Sequence, residues 1–117
     1  MTAAAIFLYG TLLDRRVLAV RSGDARFRRR RLTPATLAGH RRVVLRGTRY
    51  PTLVIDSRAV VHGVLMRPPP DAMRRLAAYE GPPYRLSPIR VATARGPRRV
   101  RAWITPRWRA DVARAWP

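Results

Sequence analysis

Apolar and polar residues change period several times along the chain, and each change predicts an element. Ala3 to Leu8 is a short unbroken apolar run ending at Tyr9-Gly10, the pattern of a strand buried on both faces at the centre of a sheet. After the Tyr9-Gly10-Thr11 turn, Leu12 to Val20 sets Leu13, Val17, Leu18 and Val20 near helical spacing, with Arg15 and Arg16 opposite. That predicts a short helix. From Arg21 to Thr33 the periodicity fails, and the run Arg28 to Arg31 puts four like charges side by side. Such a run is expected as an exposed loop. Strand patterns resume over Ala35 to Leu45, Thr52 to Ile55 and Val60 to Met66, divided by Arg46-Gly47-Thr48 and by Asp56-Ser57. Spacers this short predict antiparallel neighbours.

Pro68 to Pro70 cannot continue a ladder, and Asp71 follows as an N-cap or first-turn residue. Met73, Leu76, Ala77 and Tyr79 or Glu80 then recur at helical intervals until Gly81-Pro82-Pro83 ends the helix. Ile89 to Thr93 and Arg99 to Ile104 alternate with period two around a turn at Arg95-Gly96-Pro97. Residues 106–117 read as a terminal helix or a tail. The result is an α+β chain: a small mixed, barrel-like β-sheet of about six strands with a few short helices, in one domain over residues 1–117. No internal repeat is present.

Composition agrees with a folded unit, since 47% of the residues are apolar and the chain of 117 residues is long enough for one core. Cysteine is absent, which excludes disulfides, thiol nucleophiles and Cys-based zinc sites. Met1 to Leu8 is too short an apolar stretch for a signal peptide, and nothing is long enough to span a membrane, so a cytoplasmic location is expected. The formal charge of +19 would ordinarily point to nucleic acid or another polyanion. All 25 basic residues are Arg, however, in a chain also rich in Ala and Pro. That composition reads more as a bias of the source genome than as a surface shaped for one partner.

Few residues could carry chemistry. None of the serines lies in Gly-x-Ser-x-Gly, and without Lys there is no phosphate-binding loop of the Gly-x-x-x-x-Gly-Lys type. His40 and His62 fall on different strands with no carboxylate at ligand spacing, so no metal site and no cofactor are expected. His62 reads as a packed or edge histidine. Trp103, Trp108 and Trp116 could stack on bases, but packing of the C-terminal segment on the sheet is favoured. Glu80 is the only glutamate among six acidic residues and stands at a predicted helix C-terminus, where the negative end of the macrodipole raises a carboxyl pKa. That is the direction a general acid/base needs.

Tyr79-Glu80-Gly81 followed by Tyr84-Arg85, together with Phe7-Leu8-Tyr9-Gly10-Thr11-Leu12, resembles the γ-glutamylcyclotransferase-like superfamily, and within it the γ-glutamylamine cyclotransferase branch. Ala38-Gly39-His40-Arg41, Tyr50-Pro51-Thr52-Leu53 and Val61-His62-Gly63-Val64-Leu65 extend the likeness from Ile6 to Ile104. Two departures stand out: Ala78 takes a place where the family commonly has Asp, and the Arg28 to Arg31 loop has no counterpart. The resemblance implies cyclotransfer on γ-glutamyl amides, in which the substrate's α-amine attacks its γ-carbonyl and releases 5-oxoproline and an amine. Glu80 would be the acid/base. Gly10, Thr11 and Leu12 would hold the α-carboxylate through backbone N–H groups at a helix start, with Tyr9 and Tyr84 beside the substrate.

Two other readings stay open. One is an inactive relative of the same fold that binds nucleic acid or another polyanion through its arginines. The other is an enzyme removing a γ-glutamyl protecting group from a carrier-bound intermediate, the basic loop meeting an acidic carrier protein. Both are less favoured than a small-molecule γ-glutamyl substrate. The sequence fixes no oligomeric state.

Overall fold

The computed structural model describes residues 5–117, so the expected strand start at Ala3 and Ala4 lies outside the described residues. In chain order the elements are β1 (Ile6–Leu8), α1 (Arg15–Ser22), β2 (Thr33–Leu45), β3 (Pro51–Met66), α2 (Pro70–Glu80), β4 (Arg85–Thr93), β5 (Gly96–Ile104) and β6 (Ala110–Ala115). Short 3-10 turns occupy Thr11–Leu13, Ala25–Arg28 and Arg107–Arg109. The sheet order is β3-β1-β5-β4-β2-β6, and β3 also pairs with β2. Five strands therefore close into a barrel and β6 extends β2 outside the ring. The pairing of β1 with β5 is parallel; the others are antiparallel.

Closure explains the unbroken apolar run of β1. Phe7 points into the barrel with Leu37, Leu53 and Val100, whereas Ile6 and Leu8 face outward into a second cluster with Leu18 of α1 and Leu76 of α2. Both faces of β1 are thus removed from water, as for a central strand. The two helices cover that outer side. Gly63 lets β3 come close to this strand: a Cβ there would lie 2.2 Å from the Leu8 carbonyl oxygen and 2.7 Å from the Phe7 ring.

Several features differ from the sequence reading, among them the strand starts at Arg85 of β4 and Gly96 of β5, expected at Ile89 and Arg99. The helix expected from Leu12 to Val20 starts only at Arg15, because Asp14 caps it through the Arg16 and Val17 N–H groups and a 3-10 turn fills Thr11–Leu13. Val20 is exposed rather than part of the apolar face. Asp56-Ser57 does not divide two strands: β3 runs continuously, and the register steps from Ala38↔Val60 to His40↔Ile55. The turn-type residues there form a bulge, which Asp56 stabilises by accepting from Arg58 N–H and pairing with Arg41 of β2. Residues 110–115 form β6 where a helix or tail was expected, held on Val43–Leu45 of β2.

The Arg28 to Arg31 run is exposed, as expected, but it is not loose. Phe27 and Leu32 on either side of it are buried, and the Arg15 guanidinium donates to the carbonyls of Phe27 (3.3 Å) and Arg30.

Candidate active site

The C-terminal end of β1, the hairpin before β3 and the C-terminal end of α2 meet around one cavity of about 120 Å³. Its lining includes Tyr9, Gly10, Thr11, Leu12, Glu80 and Tyr84, all of the residues singled out in the sequence. A volume so far below the ~300–1,000 Å³ of drug-sized sites suits a unit the size of one amino acid.

Glu80 is the last residue of α2 and is half-buried at this wall. Burial lifts its pKa from 4.5 to about 7. The direction is the one the helix end suggested, and the cause is loss of water around the carboxyl. The nearby phenols feel the same enclosure. Tyr9 and Tyr84 are both held above the ordinary tyrosine value, first by burial and then by neighbouring acids including Glu80, so both stay protonated.

The turn after β1 is built by packing. Gly10 lies against Pro51, where a Cβ would come within 2.5 Å of the proline Cγ. Only glycine permits that approach. In the 3-10 turn the first donor is Leu13 N–H, to Gly10 O at 3.0 Å. The Thr11 and Leu12 N–H groups precede it and have no acceptor within the turn. The expected help from a helix dipole is absent at this point: the N-terminus of α1 lies beyond Asp14, whose carboxylate already takes its N–H groups. The donors on the cavity side are therefore local ones.

Hydroxyls tie the walls together. Thr11 Oγ1 and Tyr79 Oη are 2.9 Å apart, Tyr84 Oη donates to Pro51 O at 2.6 Å, and Tyr9 Oη donates to Trp103 O at 2.5 Å. Arg42 Nη1 donates to Tyr9 O at 3.1 Å. Tyr9 and Tyr84 thus have their protons committed to backbone carbonyls, and Tyr84 orients the Pro51 wall rather than Glu80. Next to Pro51, Thr52 Oγ1 accepts both the N–H (3.1 Å) and the hydroxyl (2.8 Å) of Thr105, both residues being buried.

Sequence reasoning did not place Tyr50, Pro51, Tyr79 and Trp103 in the site. The first two belong to a Tyr-Pro turn already noted in the sequence, and Tyr79 to the segment carrying Glu80. Trp103 carries no local signal, since strand pairing alone brings it in. His62 is exposed on β3 and His40 lies on β2, its Nδ1 3.1 Å from Ala38 O. Among the described residues no group of His, Asp or Glu could hold a metal ion, and no helix is long and apolar enough to cross a membrane. Trp108 is exposed under the Arg109 guanidinium, while Trp116 packs beneath Arg42 and donates its indole N–H to Arg49 O at 2.9 Å.

Residues 6–113 match the family described as gamma-glutamyl cyclotransferase, AIG2-like. Among solved structures, the chain is similar to the solution structure of an Arabidopsis thaliana protein, at 24% identity and a TM-score of 0.76, covering 100% of this chain and 77% of that one. A structure described as a gamma-glutamyl cyclotransferase shares 17% identity at a TM-score of 0.72, over 88% of this chain and 66% of that one. A Homo sapiens protein shares 18% identity at a TM-score of 0.72, over 91% and 68%. At these identities the likeness is one of fold. No curated protein matches the sequence.

Proposed function

The chain belongs to the gamma-glutamyl cyclotransferase, AIG2-like family, and from that premise we propose that it cleaves γ-glutamyl amides, γ-glutamyl amines among them, releasing 5-oxoproline and a free amine. The observation that carries this reading is the shared cavity: a half-buried carboxyl with a pKa of about 7 and the turn Gly10-Thr11-Leu12 line the same space.

In the proposed reaction the substrate's α-carboxylate is held by the N–H groups of Thr11 and Leu12, next to the close-packed Gly10. This folds the γ-glutamyl chain so that its α-amine meets its own γ-carbonyl. The attack is intramolecular, and restricting the chain to that geometry supplies much of the rate advantage. Glu80 takes a proton from the α-ammonium, leaving the amine free to attack. The new C–N bond closes the five-membered ring, the old amide C–N bond breaks as the protonated Glu80 gives its proton to the departing nitrogen, and the ring nitrogen, which attacked as –NH2, gives its extra proton to the regenerated carboxylate, from which it passes to the freed amine. No atom changes oxidation state. A carboxyl pKa near 7 serves both halves, because neither protonation state is strongly disfavoured at neutral pH.

The walls favour a γ-glutamyl unit held in a small, largely apolar chamber with Tyr9 and Tyr84 fixed as neutral phenols. The experiment that tests this reading is a panel of γ-glutamyl amides incubated with the protein and with its Glu80→Gln variant, scored by 5-oxoproline release. Release by the parent and not by the folded variant is the expected result; equal release by both would remove Glu80 from the mechanism.

A further inference from the structure

Strand β6 takes no part in closing the barrel, yet the residue that follows it is connected to the Glu80 cavity. Trp116 N–H donates to Arg42 O at 3.2 Å, and the Arg42 guanidinium lies over the Trp116 ring, 5.3 Å from its centroid. Arg42 Nη1 in turn donates to Tyr9 O at 3.1 Å. That carbonyl belongs to the peptide unit joining Tyr9 to Gly10, and both residues line the cavity.

The Tyr9 carbonyl lies beyond Leu8, the last residue of β1 paired with β3. The strand ladder therefore stops one residue short of it, and a side chain from β2 supplies a donor. Arg42 is half-buried, and among the described residues it pairs with no carboxylate; Asp56 is taken by Arg41. An aromatic face on one side and a carbonyl oxygen on the other fix the direction of its planar guanidinium. A hydrogen bond from a charged donor is stronger than a neutral one, and at a peptide oxygen it polarises the N–H of the same unit, here that of Gly10.

We propose that Arg42, steadied by Trp116, is a positioning residue for the reaction proposed above: it holds the Tyr9-Gly10 peptide so that the turn meets the substrate's α-carboxylate. This rests on the cyclotransfer reading of the cavity. Arg42 acts through the turn and leaves Glu80 untouched, so its loss weakens substrate binding and spares the chemical step.

The test is steady-state 5-oxoproline release from the most active γ-glutamyl amide of the panel, at a temperature where circular dichroism shows every variant folded. Arg42→Met should raise KM at least about fivefold, as for one hydrogen bond from a charged group, and leave kcat within about twofold. Arg15→Met removes the same charge and a guanidinium that donates to the carbonyls of Phe27 and Arg30, neither of which lines the cavity. It should change KM less than about twofold, as an independent site does. Trp116→Ala should raise KM, Trp116→Phe should restore it by keeping a ring under Arg42, and Trp116→Ala combined with Arg42→Met should fall short of the product of the two single effects. An unchanged KM in Arg42→Met, an equal rise in Arg15→Met, or full multiplication of the two single effects would overturn the positioning role while leaving the proposed activity in place. A parent that releases no 5-oxoproline from any amide would remove that activity and the role with it. If Arg42→Met does not fold, the two Trp116 variants decide: a rise confined to alanine supports the role, and equal KM values overturn it.

Discussion

The hydroxyls of Thr11 and Tyr79 lie 2.9 Å apart across 68 positions of sequence, joining the turn after β1 to the helix that ends in Glu80. The proposed carboxylate cradle and the proposed acid/base are thereby fixed to one another. Arg21 of α1 lies over the Tyr79 ring at 4.8 Å, so the ring has a second role in holding α1. Tyr79→Phe keeps the ring and removes only the hydroxyl. The expected loss of stability is about 0.5–1.5 kcal/mol, as for one hydrogen bond. Its effect on 5-oxoproline release should fall mainly on KM, which rises several-fold, because the donors for the substrate carboxylate lose their position. Steady-state kinetics together with thermal melting check it; an unchanged KM would show that the turn holds itself.

Removing the carboxyl of Glu80 should affect rate far more than fold. Glu80→Gln preserves shape and takes away a group that burial already disfavours in its charged form. General acid/base groups contribute typically 10²- to 10⁴-fold, so kcat should drop by at least about 10²-fold. Circular dichroism and the melting temperature should match or exceed those of the parent near pH 7.

The raised pKa of Glu80 also predicts how stability follows pH. Its carboxyl binds a proton more tightly in the folded chain (about 7) than in the unfolded one (4.5). Stability from this group is therefore full below pH 4.5, falls as pH rises between 4.5 and 7, and is flat above. At about 1.4 kcal/mol per tenfold shift in proton affinity, the loss across that window reaches about 3 kcal/mol at most. Urea unfolding at several pH values in parent and Glu80→Gln isolates it. The difference in stability between the two proteins should widen from pH 4.5 to 7, and a constant difference would contradict the shift.

The parts of this architecture visible in the sequence are those with a local cause. The β1 run is legible because both its faces are buried, and α2 because prolines precede it and Gly81 follows it. Glu80 could be placed at a helix end from those signals alone. Why its pKa rises could not, since the rise comes from burial, and the cavity that Glu80 lines is shared with residues far away in sequence such as Tyr50, Pro51 and Trp103. The start of α1 was misplaced because Leu12 and Leu13 continue the apolar spacing, while the deciding feature is the Asp14 cap. Strand β6 carries a weak pattern, Ala110 to Ala115, and exists through tertiary contacts: its pairing with β2 and the Arg41 donation to Val112 O at 2.8 Å.

Gly10 and Gly63 separate site geometry from fold geometry. A methyl at Gly10 meets a proline side chain at the cavity wall, whereas one at Gly63 meets backbone at 2.2 Å in the centre of the barrel. Gly63→Ala should therefore destabilise by roughly 1–3 kcal/mol or more, as overpacking does. Gly10→Ala should cost less stability and more activity, because Pro51 can give way only by altering the cavity. Denaturation midpoints alongside 5-oxoproline assays compare the two; the reverse ranking would place Pro51 outside the substrate's reach.

Thr52, next in sequence to Pro51 of the cavity wall, is bonded to Thr105 across 53 positions of sequence. Thr52 Oγ1 accepts from both the N–H and the hydroxyl of Thr105, and both side chains are buried. Thr52→Val is nearly isosteric but leaves two donors without their acceptor. Stranding a buried donor costs about 1–3 kcal/mol, which exceeds the small gain from a more apolar side chain. A single Thr105→Val change removes the hydroxyl but keeps its N–H bonded to Thr52, so it should be the milder of the two. The double variant should lose less than the sum of the singles, since the pair shares one hydrogen-bond network. A double-mutant cycle by urea unfolding measures that coupling, and strict additivity would mean that the two threonines are satisfied independently.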